Sequence, residues 1–392
     1  MGKEDKNFKN FIKACYGNYD QSLLQREIEK AGWDVLTRRL QENGLLGFAY
    51  NAVKQKKVNL LFPPEILSRW KKQSLLTVMN NSIYEQEADS VFEAFNQAGL
   101  KYVLMKGFVG MEELYGSRYI RPISDLDILV ASDQFQKAKD ILSGLGYIVK
   151  YDEVFRCFAQ EFTEVDDNQL HEIPLVKKQG NLKLYIDLHR HVNRYLEGSV
   201  VSALFPGHEL PWLDHVDEIK LGKTAVRCMK QETQFLFAAH HYILHHMLGG
   251  TKWLIDLCQF TVTAGKDLDW QWIAGQVKNK NLNKLLVLAL YLTRDLTGEE
   301  AVLKKAAGTG AVKTKPGRLE YLLYFNVPFM KTSIFKRYLV FLLLPCSWSD
   351  RIRLLLYLLF DASASIEGRR PGAKRKSFKN ALHVLKRFIC RN

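Results

Sequence analysis

The sequence predicts an α/β (α+β) fold, a core sheet flanked by N-terminal and C-terminal helical regions. Three observations lead there. Residues 1–95 repeat apolar positions at helical spacing and show no strand alternation. Residues 96–225 hold short apolar runs separated by Gly-containing turns and helical stretches. From Gln231 onward the pattern is again mostly helical. The chain has 392 residues, enough for two or three domains at roughly 100–200 residues each. It is 47% hydrophobic and 12% aromatic, so a large core is within reach.

Taken in order, helical patterns run over Leu23 to Ala31, Trp33 to Gln41 and Pro64 to Gly99. The pair Pro63-Pro64 marks the start of the third, because proline is tolerated in a first helical turn. Leu100 to Met105 (LKYVLM) reads as a strand that stops at Lys106-Gly107, and Phe108 to Tyr115 reads as a helix. A second strand ends in Ile128-Leu129-Val130. Asp133 to Leu145 is an amphipathic helix with Ser132 or Asp133 as N-cap. Gly144 and Gly146 end it, and Tyr147-Ile148-Val149 opens another strand. Gln169 to Val176 and Leu182 to Val192 form a hairpin with Lys177 to Asn181 as the turn. Residues 196–225 are a loop and a short hairpin around Gly222-Lys223. The expected organisation is a helical region over 1–95, an α/β core over 96–225, a helical region packing on that core over 226–307, and a helical C-terminal region over 318–392. Gly308 to Gly317 is the linker.

The chemistry concentrates in Arg118 to Val130, RYIRPISDLDILV. Side chains at i and i+2 of a strand share a face, so Asp125 and Asp127 project together. Two carboxylates this close repel each other and resist burial. A divalent cation relieves both problems, and Mg²⁺ takes carboxylates plus substrate phosphates. The competing reading is a strand end with two solvated aspartates. Upstream, Gly107 lets the backbone approach a ligand, and Lys106, Arg118 and Arg121 offer charge to a phosphate. A third carboxylate, Asp187, sits in the alternating segment LKLYIDLHRHV with His189 on the same face.

These residues resemble the uncharacterised nucleotidyltransferase branch of the polymerase-beta-like nucleotidyltransferase superfamily. The matching segments are Leu104 to Gly107 (LMKG), Arg121 to Val130, Asp187-Leu188-His189, the His-rich stretch Phe235 to His246, and Trp253 to Asp256. The turn is Lys106-Gly107, where the commoner superfamily pattern has Gly-Gly or Gly-Ser. The resemblance implies a metal-dependent transfer of a nucleoside monophosphate from an NTP such as ATP to a hydroxyl acceptor. It implies Asp125, Asp127 and Asp187 as the catalytic ligands of Mg²⁺ (or Mn²⁺). It implies a triphosphate cradle of Lys106, Gly107, Arg118, Arg121 and Ser124. His189 is placed where it orients the acceptor or takes its proton. The acceptor is open: a sugar phosphate, a peptide or protein side chain, a small alcohol or an RNA end.

Two other readings use the same residues. A D-x-D also holds the metal of a nucleotide sugar in glycosyltransferases. Alternatively, an inactive core carries a basic tail that binds RNA or lipid. From Lys313 onward seventeen basic residues face four acidic ones, so thirteen of the net +14 charges lie in the last fifth of the chain. Such a cluster suits an anionic membrane surface or RNA. Tyr338 to Leu344 and Ile352 to Phe360 are too short for the ~20 residues a span requires, so no transmembrane segment is expected. Six scattered cysteines contain no C-x-x-C, which argues against a zinc ribbon or disulfide framework. The N-terminus MGKEDKNFKNF has no apolar run of a secretory signal, so the expected location is cytoplasmic, with peripheral membrane association as the variant. His240, His241, His245 and His246 fall on one helix, where packing or a lid is favoured over a metal site. Trp253 and Asp256, one turn apart, are expected to hold the neighbouring helix in place.

Overall fold

Five helices precede the first strand: α1 (Lys3–Cys15), α2 (Gln21–Ala31), α3 (Trp33–Glu42), α4 (Leu46–Lys54) and α5 (Pro64–Gln97). The structure is a computed structural model that describes residues 2–150, 171–180, 182–192, 200–207, 210–312, 315–317, 320, 324–329 and 340–357. Asp20 caps α2, accepting from the Leu23 N–H at 2.8 Å. Helix α5 starts at Pro64, where a missing N–H costs nothing. At about 1.5 Å per residue its 34 residues span ~50 Å. It therefore reaches past the N-terminal helices and lies along the sheet.

The sheet has seven strands: β1 (Tyr102–Leu104), β2 (Leu126–Val130), β3 (Ile148–Val149), β4 (Glu172–Gln179), β5 (Leu182–His189), β6 (Val216–Leu221) and β7 (Thr224–Met229). Their spatial order is β3-β4-β5-β2-β1-β7-β6. The β2–β5 and β1–β7 pairs are parallel and the others antiparallel. Between strands lie α6 (Met111–Tyr115), α7 (Phe135–Gly144) and α8 (Val200–Leu204). After β7 come α9 (Gln231–His240), α10 (Thr251–Thr263), α11 (Trp270–Gln276), α12 (Lys280–Thr297), α13 (Glu300–Gly308) and α14 (Trp348–Leu356).

The sheet divides two hydrophobic cores. On one side, Ala88, Val91, Phe92 and Phe95 of α5 and Ala138 and Leu142 of α7 meet Leu126, Ile128, Val130, Ile186 and Leu188. On the other side, Val103, Met105, Leu129 and Met229 meet the helices. That second core runs from Phe8 and Phe11 of α1 through Phe235 of α9 and Leu254 of α10 to Leu286 of α12 and Leu354 of α14. The N-terminal and C-terminal helices thus share one interior. Expected boundaries at 95 and 225 both fall inside elements, since α5 runs to Gln97 and β7 to Met229.

Several local expectations change. The helix expected over Phe108 to Tyr115 is only α6, because Gly107 (φ 84°) and Gly110 (φ 68°) take left-handed conformations that a helix cannot contain. Neither Ser132 nor Asp133 caps α7; residues Ser132–Gln134 form a 3₁₀ turn that leads into it. The β4–β5 ladder continues to Gln179↔Leu182, so Lys177 to Gln179 belong to the strand rather than to a turn over Lys177 to Asn181. Gly180, at φ 59°, takes the left-handed conformation that favours glycine directly after β4. Residues 169 and 170, parts of the linker and the basic tail lie outside the described residues.

Candidate active site

Alternation places the carboxylates. Along β2, Leu126, Ile128 and Val130 enter the α5 core, which turns Asp127 to the opposite face. Along β5, Leu184, Ile186 and Leu188 do the same and turn Asp187 and His189 outward from that core. The parallel register then pairs Asp127 with Asp187 and Leu129 with His189. Glu172 of β4 lies across from His189 and joins the same face.

The segment before β2 is held by α5. Asn81, fully buried, donates to the carbonyls of Arg118 (3.0 Å) and Arg121 (2.8 Å) and accepts from the Ile123 N–H (3.0 Å). The Tyr84 hydroxyl donates to the Ser124 carbonyl at 2.6 Å and accepts from the Tyr185 N–H at 3.2 Å, linking this segment to β5. Helix α4 approaches so closely that a Cβ on Gly47 would overlap the Ile120 carbonyl. Sequence reasoning missed Asn81 and Tyr84 because they act from a helix some forty residues upstream.

A cavity of about 290 Å³ opens over the carboxylates. Lys106, Gly107, Arg121, Ser124, Asp125, Asp127, Asp187 and His189 line it together. Arg118 does not: it pairs with Glu85 (2.8 Å) and Glu112 (3.0 Å) and so braces its own loop. The wall also includes Glu172, His241, His245, His246, Lys252 and Trp253. Nothing local to Glu172 beyond its place in a strand marks it as a wall residue. Of the histidines expected to pack or to form a lid, His241, His245 and His246 lie in this wall. A larger, open groove of about 580 Å³ lies elsewhere, around Trp33, Leu61 and Phe62. Its only charged wall residues are Glu29 and Lys56, so it holds no comparable chemistry.

Charge is tightly balanced in the smaller cavity. Lys106 Nζ is 2.7 Å from Asp127 Oδ1, and His189 Nε2 is 3.2 Å from the same oxygen. His189 Nδ1 lies 3.2 Å from Glu172 Oε2, an ionic contact without an aligned hydrogen bond. Burial opposes the Asp127 charge, but Lys106 and His189 more than offset it and hold its pKa low. Burial likewise opposes the His189 charge, and Glu172 and Asp127 outweigh it, raising that pKa. Asp187 makes no ion pair among the described residues: burial first, then Asp127 and Glu172, outweigh the His189 charge and push its carboxyl well above the usual range. Arg121 Nε sits 2.9 Å from Asp256 Oδ2, and the Tyr115 hydroxyl donates to Asp256 Oδ1. Asp256 thus ties α10 to the loop before β2. Trp253, its neighbour one turn back, stacks on His246 at 3.6 Å.

The α-helix α9 stops at His240, and His241–His245 form a π-helical turn instead of continuing it. Burial drives the pKa of His241 far down, and that of His246 down to about 2, so both rings are neutral. The arrangement brings hard oxygen ligands, cationic groups and a glycine turn to one cavity. That set suits a phosphate chain with its divalent cation.

No curated protein and no solved structure matches the chain. The model of a family described as uncharacterised nucleotidyltransferase matches residues 29–298, which takes in α3 to α12 and the whole sheet. Together with the paired carboxylates at the floor of the cavity, that match identifies the chain as a member of the uncharacterised nucleotidyltransferase family.

Proposed function

We propose that this protein transfers a nucleoside monophosphate from an NTP to a hydroxyl acceptor with the help of Mg²⁺ or Mn²⁺. Membership of a nucleotidyltransferase family supports the reaction class. The observation that carries the reading is the side-by-side register of Asp127 and Asp187 below Lys106 and Arg121. The donors fit a divalent cation: Asp187 faces Asp127 and Glu172, and burial first, then those two carboxylates, outweigh the nearby His189 and raise the Asp187 pKa. Asp125 and Asp127 would hold the metal ions, with Asp187 sharing the one near the acceptor. When bound, the metal lowers the pKa of the acceptor hydroxyl and neutralises charge on the leaving pyrophosphate.

The chain's own residues do the rest. Gly107, at φ 84° and with no Cβ, leaves its backbone open to the phosphates. Lys106 and Arg121 supply positive charge along the cavity wall, and Ser124, which donates to Asp125 Oδ1 at 2.7 Å, orients that ligand. Arg118 is assigned to bracing the loop rather than to the triphosphate. His189, held between Asp127 and Glu172, first fixes the Asp127 carboxylate; a contact with the acceptor would require one of those links to open.

The test is pyrophosphate release by the purified chain with Mg²⁺ or Mn²⁺, each of the four NTPs and an extract of its host. Wild type is compared with Asp125→Asn/Asp127→Asn. Metal-dependent release by wild type, falling at least ~10²-fold in the variant, is the expected outcome. Equal release by both proteins, or nucleoside diphosphate released from UDP-sugars instead, would sink the reading.

A further inference from the structure

We propose that His241, His245 and His246 form a binding site for a transition-metal dication such as Zn²⁺ or Co²⁺, distinct from the aspartate ligands in the same cavity. The first argument is geometric. One ligand nitrogen from each of the three rings lies within 4.8 Å of the others. Ring centroids are 4.7 Å apart for His241–His245, 4.5 Å for His241–His246 and 4.9 Å for His245–His246.

A regular helix would not gather them. Residues five apart on an α-helix point about 140° away from each other. Here the helix widens, and the His246 N–H donates to the His241 carbonyl at 3.1 Å, an i→i+5 bond. The sixth residue is thereby brought back beneath the first. Such one-turn π-bulges are costly and concentrate at functional sites. The chain reverses directly afterwards through Met247 (φ 47°) and Leu248 (φ 60°). Among the described residues only Lys56 shares that left-handed conformation without being glycine. Three departures from regular backbone therefore meet at this one histidine cluster, which is where strain is retained for function rather than for packing.

The surroundings fit ligation. His246 is fixed by its stack on Trp253, and Trp253 in turn passes so close to Gly250 that no side chain would fit there. The Nε2 of His246 is buried without a hydrogen-bond partner, which simple packing leaves unexplained. Three imidazole nitrogens select Zn²⁺, Co²⁺ or Ni²⁺, whereas Mg²⁺ prefers oxygen. Three protein ligands facing a cavity leave a fourth position for a water or a substrate oxygen. Lys106 in the same wall is paired with Asp127 at 2.7 Å, and Asp125 and Asp256 act against the charge of Lys252. The site stands on the histidines alone and is independent of nucleotidyl transfer.

The untagged full-length chain, stripped with a chelator, is titrated with Co²⁺ in the absence of nucleotide and followed by visible absorption. Zn²⁺ is then added in competition. The expected result is one nitrogen-ligated Co²⁺ per chain, displaced by Zn²⁺ and not by excess Mg²⁺. His245→Ala and His246→Ala should each weaken it by more than ~10-fold, as loss of even a supporting group does at metal sites. His241→Gln, which keeps the buried volume, should do the same with an unchanged circular dichroism spectrum. Asp125→Asn/Asp187→Asn should retain the Co²⁺ spectrum, even if pyrophosphate release is lost or never seen. No Co²⁺ spectrum, a spectrum indifferent to the histidine variants, or one abolished by the aspartate variants overturns the proposal.

Discussion

Asp127 shows how much one buried carboxylate depends on its neighbours. It is 2% exposed, and its counter-charge comes from Lys106 at 2.7 Å and His189 at 3.2 Å. Removing the only partner of a buried charge costs about 3 kcal/mol or more, and His189, which stays beside Asp127, makes the loss here smaller. Lys106→Met is therefore expected to lower the melting temperature of the metal-free chain, and Mg²⁺ is expected to restore much of the loss. Equal melting in the presence and absence of Mg²⁺ would rule out a cation beside Asp127. Asp187 behaves in the opposite sense. Its folded pKa is raised by burial and by Asp127 and Glu172, so the folded state binds the extra proton. Its contribution is present below the ordinary carboxylate pKa and is lost as pH rises through the raised value. In chelator, wild type should lose stability relative to Asp187→Asn as pH climbs from the acid range. Denaturant midpoints compared across pH check this, and parallel curves for the two proteins would contradict it.

Between elements, the site depends on α5. Asn81 makes three hydrogen bonds to the segment that carries Arg121, Ser124 and Asp125. Asn81→Ala strands one N–H and two carbonyls in the interior, at an expected cost of about 2–4 kcal/mol. Urea denaturation measures it; a cost below ~1 kcal/mol would mean the segment holds itself in place. This dependence marks the limit of what the sequence reveals. The period of two exposed the pairing of Asp187 with His189, because strand alternation is local, whereas Asp125 precedes β2 and meets Asp127 at the cavity from outside the strand. The adjacency of Asp127 and Asp187 needed the β2–β5 register, which no local pattern states. Glu172 was hidden for the same reason, since its strand faces His189 only through the β4–β5 ladder. Arg118 looked like a phosphate ligand by spacing, yet Glu85 of α5 and Glu112 of α6 claim it. The nearness of His241 to His246 was not legible, because spacing at 3.6 residues per turn separates them and a π-turn changes which rings meet.

Across the whole molecule, charge and apolar surface are both uneven. Helix α14 leaves Trp348, Ile352, Leu355 and Leu356 exposed at i, i+4, i+7 and i+8, a single stripe next to Arg351 and Arg353. The basic tail follows it in sequence, with Arg369, Arg370, Lys374, Arg375 and Lys376 within eight residues. Among the described residues no helix is long and apolar enough to cross a membrane. An apolar stripe followed in sequence by a basic segment is the pattern of a surface-bound helix, and binding to an anionic bilayer is the expectation that this pattern puts to the test. The full chain should then bind phosphatidylserine-containing vesicles and ignore purely neutral ones. Each basic residue at such a surface contributes about 1 kcal/mol, so replacing those five by Gln should weaken binding by several orders of magnitude. Salt at ~1 M, where the screening length is about 3 Å, should have a similar effect. Trp348→Phe should remove the fluorescence blue shift that accompanies insertion, because the stripe, not the tail, would enter the interface. Vesicle binding indifferent to the five charges would refute the electrostatic part. Binding to RNA with a steep salt dependence, in a chain that ignores vesicles, would assign the tail to nucleic acid instead.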